Sequence, residues 1–231
     1  MFSEIRQGIL PLALRKIKRV GDLERAGLLI ESLSKHWRDS RPFELLIIAP
    51  NGDADLLRSN LPRFPNIEVT VRRESDFFPA FSSFYWMTGW YRQQIVKLHV
   101  PAVLGFAGYF TLDSDVCCVG DFDSRTFIQY DRALSRWEPK QHHPWWQSAS
   151  EVIGIPYDPR SHGLSVTPNI LHGDLARMTL DQLRGPHLGA MTSLVLWKAR
   201  KPFHVPWTEY SLYTSTAEIS GTLYDYHAEW D

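Results

Sequence analysis

Apolar positions along the first half of the chain follow two periods in turn. Ile9–Leu14 is a short apolar run that predicts a first strand. Gly21-Asp22 then opens a segment in which Leu23, Ala26, Leu29, Ile30 and Leu33 share one face, so a helix is expected with Asp22 as its N-cap. Phe43–Ala49 (FELLIIA) is nearly continuous in apolar residues, the pattern of a strand buried on both faces. Pro50–Asp53 ends it as a turn. A short helix over Asp55–Leu61 and a strand over Ile67–Val71 follow. Phe77–Met87 is aromatic and irregular, Gly89–His99 has helical spacing, and Tyr109–Leu112 reads as a strand that continues extended through Val116–Val119.

The second half is patterned more weakly. Trp137–Trp146 reads as a loop and Ser150–Gly154 as a helix end. Ile170–Arg177 and Leu180–Leu183 read as short helical turns, Leu194–Trp197 as a strand, and Pro206–Ile219 as a loop running into a helix. Strand and helix alternating in this way predict an α/β fold with a mostly parallel sheet flanked by helices. Ligands of such sheets bind beyond the carboxyl ends of the strands, so chemistry is to be sought where a strand stops.

The 231 residues suit one domain, and 44% hydrophobic with 22% charged residues supply an ordinary core. A formal net charge of -1 offers no broad electrostatic reason to bind nucleic acid. The nine tryptophans either fill the core or line a cleft where flat rings stack on sugars. The two cysteines, Cys117 and Cys118, are adjacent and unsuited to an ordinary bridge. In their apolar run they are expected as buried thiols, which points to a reducing, cytoplasmic compartment. Ile9–Leu14 is too short for a signal-peptide core, and no stretch reaches the length of a membrane span. The basic run Arg15–Arg19 allows peripheral contact with an anionic membrane face, although a solvated loop explains it as well.

Three Asp-x-Asp triplets occur. Asp53-Ala-Asp55 and Asp121-Phe-Asp123 lie among turn residues, where capping accounts for them. Asp113-Ser-Asp115 instead lies between two apolar runs, where carboxylates are costly unless compensated. On an extended chain Asp113 and Asp115 would project together, Ser114 opposite, and present two hard oxygen donors suited to Mg²⁺ or Mn²⁺.

The stretch Tyr109-Phe-Thr-Leu-Asp-Ser-Asp-Val-Cys-Cys-Val-Gly-Asp121 resembles the metal-binding segment of GT-A-fold glycosyltransferases, above all the glycogenin and galactosyltransferase-like family. The longer layout, through Gly89–Leu98, Ser165–Asn169 and Trp207–Ser211, is similar to bacterial glycosyltransferases of surface-polysaccharide gene clusters. The resemblance implies a GT-A-like, Rossmann-like domain over residues 1–231, its nucleotide-sugar half at about 1–125 and an irregular acceptor-side half at about 126–231. It implies a nucleotide-sugar donor, UDP-linked by family habit, and a saccharide or lipid-linked saccharide acceptor. One feature departs from the family: its late His-x-x-Gly-x-x-Lys-Pro-Trp motif is reduced here to Lys201-Pro-Phe203. The third metal ligand is therefore sought elsewhere, first at His227 and then at His172.

On this reading Arg92, Gln94 and Lys97, with Asp113, Ser114 and Asp115, face the donor. Asn169, His172, Trp207, Thr208 and Tyr210 face the acceptor. Glu209 is either a helix cap or the general base for the acceptor hydroxyl. If it lies opposite the leaving group the reaction inverts configuration, and otherwise it retains it. Two other readings stay open: a phosphohydrolase of the haloacid dehalogenase type, with Asp113 as nucleophile, and a carbohydrate-binding relative without turnover.

Overall fold

The computed structural model describes residues 2–14, 19–78, 88–164, 166–183 and 207–230. The strand expected at Leu194–Trp197, the basic residues 15–18, Ser165, Lys201-Pro-Phe203 and most of the aromatic Phe77–Met87 stretch lie outside them.

The central sheet has the order β3-β2-β1-β4-β9. Strands β1 (Gln7–Pro11), β2 (Phe43–Ala49), β3 (Ile67–Arg73) and β4 (Gly108–Thr111) run parallel, and β9 (Asn169–His172) pairs antiparallel with β4. Side chains on successive strand positions feed two cores. Ile9, Leu46, Ile48, Tyr109 and Leu171 pack on one face, under α3 (Gly89–Leu104), α5 (Gly173–Gln182) and α6 (Glu209–Ile219). Leu10, Leu45, Ile47, Phe110 and Ile170 pack on the other, under α1 (Arg19–His36) and α2 (Ala54–Asn60). The fold is thus α/β with a mostly parallel sheet between helical layers.

Beyond the sheet, β5 (Ile128–Gln129), β6 (Arg132–Ser135) and the terminal β10 (His227–Glu229) form a small second sheet. β7 (Trp137–Pro139) pairs with β8 (His162–Leu164). α4 (Trp145–Ile153) and the short α7 (Leu223–Tyr226) complete the elements.

Several expectations shift by a turn or more. β1 starts and ends earlier than Ile9–Leu14, because its register against β2 and β4 runs only from Gln7 to Pro11. Gly8 sits where a Cβ would come within 2.9 Å of the Phe43 ring, so the β1–β2 contact excludes a side chain there. α1 begins before Asp22, which is a buried first-turn residue paired with Arg25 and not the N-cap. α3 carries Pro101 inside it and runs on to a left-handed cap at Gly105 (φ 73°). The expected helical turn at Ile170 is strand β9, recruited by the free edge of β4, and the helix begins only at Gly173. Trp137–Trp146 is not a loop: it holds β7, a 3-10 turn and the start of α4. Among the described residues the Val116–Val119 run joins no sheet. It crosses the outside of α1, where Cys118 N–H donates to Ser32 Oγ at 3.0 Å. Cys117 is therefore exposed and Cys118 half-buried, against the expectation of buried thiols.

The tryptophans differ in burial. Trp37, Trp146 and Trp207 are core residues, whereas Trp90 and Trp230 are exposed. No helix among the described residues is long and apolar enough to cross a membrane.

Candidate active site

The carboxyl ends of the four parallel strands lie along one edge, and the polar loops there are tied together. Asp53, expected as a cap, accepts Leu14 N–H at 2.9 Å and so joins the segment after β1 to the turn after β2. Asp55 pairs with Arg58 and Arg73. Asp123 caps its local turn by accepting Arg125 N–H at 2.9 Å, and Asp121 binds Arg38 on the surface.

Asp113 follows β4 with Leu112 between, and Ser114-Asp115 form a turn. The common direction inferred from strand alternation therefore has no strand to rest on. The turn, closed by Val116 N–H donating to Asp113 O at 3.4 Å, presents the two groups instead. Asp113 is 38% exposed and Asp115 is exposed. Asp113 Oδ1 lies 2.9 Å from Lys97 Nζ. Among the described residues its second oxygen and both oxygens of Asp115 have no partner.

Behind this turn is a buried ionic chain. Lys97, on α3, and Glu209, the first residue of α6, are each 2% exposed in their side chains and 2.9 Å apart. Gln94, one turn before Lys97, accepts Glu209 N–H at 3.1 Å, which satisfies an otherwise unpaired donor at the start of α6. Thr208 caps the same helix, accepting Ser211 N–H at 3.0 Å. Burial opposes the charge on Lys97, but Glu209, Tyr210 and Asp113 outweigh it and hold the ammonium above its ordinary range. Burial pushes the Glu209 carboxyl up, and Lys97 offsets part of that rise. The proton of the pair stays on Lys97. The Tyr210 ring lies 5.9 Å from Lys97 Nζ, and its hydroxyl joins Thr111 Oγ1 (2.6 Å) and Thr167 Oγ1 (2.9 Å).

Gln94, Lys97, Asp113, Ser114, Asp115 and Glu209 are thus brought together, but Gln94 and Glu209 serve the interior. Glu209, expected as a helix cap or as the general base, has its carboxylate buried against Lys97. Arg92, expected on the donor, pairs with the buried Glu74 after β3.

The residues expected on the acceptor are interior as well. Trp207 is fully buried, Thr208 is a cap, and Tyr210 is held as described. Asn169 Oδ1 accepts Ser135 Oγ–H at 3.2 Å and Ile170 N–H at 2.8 Å. His172 Nδ1 accepts Asp174 N–H at 3.2 Å. His227, expected as third metal ligand, has both ring nitrogens occupied, Nδ1 by Ser135 Oγ (3.1 Å) and Nε2 by Tyr213 OH (2.8 Å). Among the described residues no group of three or more His, Cys, Asp or Glu side chains is arranged to hold a metal ion. His227 instead pins β10 against the sheet core.

Burial holds His227 at about 3 and His172 at about 4, well below the usual imidazole range. Unfolded, both take a proton near pH 6.5. The folded state then binds fewer protons, so their contribution is complete above pH 6.5 and is lost as pH falls toward the folded values. Urea denaturation between pH 7 and pH 4 is expected to show this decline, and His227→Gln is expected to flatten it. An unchanged slope would remove His227 as its source.

Sequence reasoning missed the Arg92–Glu74 pair, whose members are separated by an irregular stretch that carries no periodic signal. It also missed a cavity of about 380 Å³ on the face of β4 opposite Lys97, lined by Phe110, Phe127, Arg136, Pro168, Asn169 and Trp230. Its residues come from five separate stretches of the chain, and only the folded structure brings them together.

Residues 6–231 match the family described as a family of unknown function, DUF6492. The chain belongs to DUF6492. No curated protein matches it. Among solved structures, this DUF6492 chain is similar to mouse xyloside xylosyltransferase 1 (TM-score 0.52, 12% identity, 98% of this chain and 85% of that one). It is similar to core-mannan synthase A from Aspergillus fumigatus, solved in a Mn/GDP form (TM-score 0.55, 9% identity, 99% and 73%). It is similar also to the mannosyltransferase Ktr4p from S. cerevisiae (TM-score 0.55, 10% identity, 92% and 65%). At these identities the likeness establishes a shared fold, the GT-A-like one expected from the Asp-Ser-Asp segment.

Proposed function

We propose that the chain is a metal-dependent glycosyltransferase that moves a sugar from a nucleoside-diphosphate sugar to a hydroxyl of a saccharide or lipid-linked saccharide, in surface polysaccharide synthesis. The observation that carries this reading is the turn after β4. There, two carboxylates with three oxygens that have no partner among the described residues stand at the carboxyl edge of a parallel sheet, one of them braced by a buried lysine. The donor set fits Mg²⁺ or Mn²⁺, which are commonly held by one or two carboxylates together with substrate phosphates and water. A cation there would offset the charge that grows on the departing diphosphate.

The protein's own residues do the rest. Asp113 and Asp115 are the proposed metal ligands, without His227. Lys97 holds Asp113 in place and adds positive potential at the diphosphate side of the turn. On this proposal the nucleotide-sugar half spans about 1–125, which holds the four parallel strands, and the acceptor-side half about 126–231. The fold shared with core-mannan synthase A, solved in a Mn/GDP form, makes GDP-sugars as relevant to test as UDP-sugars. The phosphohydrolase reading loses support because Asp113 follows the fourth strand in chain order, whereas that class carries its nucleophile after the first.

A thermal-shift panel of UDP- and GDP-sugars, each with and without Mn²⁺, tests the proposal. A nucleotide sugar with Mn²⁺ at saturation is expected to raise the melting temperature by about 5 °C, and by clearly more than either component alone. No shift with any donor would overturn it.

A further inference from the structure

We infer that Glu209 is a positioning residue: it shares the Lys97 ammonium with Asp113, and by doing so keeps Asp113 open to a divalent cation. The inference rests on the metal-dependent reading above and assigns Glu209 a role other than general base.

The geometry is a three-member chain. Lys97 Nζ is 2.9 Å from Asp113 Oδ1 and 2.9 Å from Glu209 Oε1. Lys97 and Glu209 are enclosed, whereas the Asp113 side chain is 38% exposed and, among the described residues, its other oxygen has no partner. A general base must come within hydrogen-bond reach of the acceptor hydroxyl. Glu209, at 2% exposure and with Oε1 on Lys97, touches only protein. Its backbone is fixed as well, by Gln94 Oε1 on its N–H and by the Thr208 cap beside it. Glu209 is therefore built to stay still and can act only through Lys97.

What it does there follows from charge. A lysine facing Asp113 alone would form a one-to-one ion pair, and a cation would have to compete with the ammonium for that carboxylate. A second carboxylate on the same ammonium divides its attraction. Asp113 then keeps its orientation through one oxygen and retains enough negative charge to bind a metal through the other. The arrangement is that of a ligand oriented by a hydrogen-bonded partner, which is in turn oriented by a third group.

The test is Mn²⁺ binding by the full chain, followed by the loss of the free-ion electron paramagnetic resonance signal with the metal alone as probe. Four proteins are compared: wild type, Asp115→Asn, Glu209→Gln, and the double variant Lys97→Met/Glu209→Gln. Glu209→Gln is expected to weaken Mn²⁺ by roughly tenfold to a hundredfold. The double variant, which removes the competing ammonium too, is expected to return to within about threefold of wild type, as a mutually dependent pair should. A merely structural Glu209 would show no such recovery, and a general base would leave Mn²⁺ affinity unchanged in the single variant. Either result overturns the inference. If Glu209→Gln does not fold, the double variant decides alone, and weak Mn²⁺ binding by a folded double variant overturns it. Wild type indistinguishable from Asp115→Asn would sink the metal-dependent reading and this inference together. Wild type binding well while Glu209→Gln binds equally well sinks the inference only.

Discussion

Asp115→Asn is expected to lower sugar transfer by at least about a thousandfold, or roughly 4 kcal/mol of transition-state stabilisation. The side chain is exposed and, among the described residues, has no partner, so the fold does not depend on it. Its loss should leave the melting temperature without ligand within about a degree of wild type, since surface substitutions of this kind change stability little. The Mn²⁺-dependent shift with nucleotide sugar should vanish. Rate and metal-dependent stabilisation must fall together. A variant that loses the shift but keeps its transfer rate would show that the metal is not used in the reaction.

Lys97→Met is expected to have the largest effect on the fold itself. It removes the only cation that sits on Glu209 among the described residues, leaving there a carboxylate with 2% exposure and no partner cation. Breaking one partner out of a buried ion pair costs about 3 to 5 kcal/mol. The loss should depend on pH in a defined direction. Burial already raises the Glu209 carboxyl, and Lys97 is what pulls it back. Without Lys97, burial acts unopposed and the folded-state value rises further above the unfolded one. The folded state then binds more protons in that window, so stability recovers as pH falls from neutral toward the unfolded value of 4.5 and is lost as pH rises again. Urea denaturation at pH 7.5 and pH 5.5 checks this. The variant should gain stability at the lower pH, while wild type should not gain by the same amount. A variant equally unstable at both values would mean that Glu209 is not the source of the defect.

Much of the framework was legible from local pattern. FELLIIA reads as a doubly buried strand and occupies Phe43–Ala49 in the middle of the parallel run. The i, i+3, i+4 spacing from Ala26 to Leu33 packs on the sheet as expected. The lapses fall where a distant partner overrides the local signal. Asn169–His172 has no strong strand pattern and becomes one only because the edge of β4 offers it hydrogen bonds. Helix α3 continues through Pro101, where Val100, Pro101 and Ala102 are all buried against the core.

The site divides in the same way. Asp113 and Asp115 stand out in sequence because carboxylates between apolar runs demand a reason, and Lys97 and Gln94 because they share a stripe on one helix. Their division of labour was not readable. Lys97 and Glu209 are 112 residues apart, and nothing near either names the other as its partner. Tyr210, Asn169, His172 and His227 look like ligand contacts in sequence because they are polar and aromatic. In the folded chain they are the hydrogen-bonded interior of the second half.

The chain by itself determined the alternation of strands and helices and the position of the acidic pair at a strand's end, since both follow from short-range periodicity and the cost of placing charge among apolar residues. Only the tertiary structure decided which carboxylate reaches solvent and which is sealed against a lysine. That choice depends on α6 packing over α3, a contact whose strength comes from burial across the whole layer and leaves no mark on the neighbouring sequence.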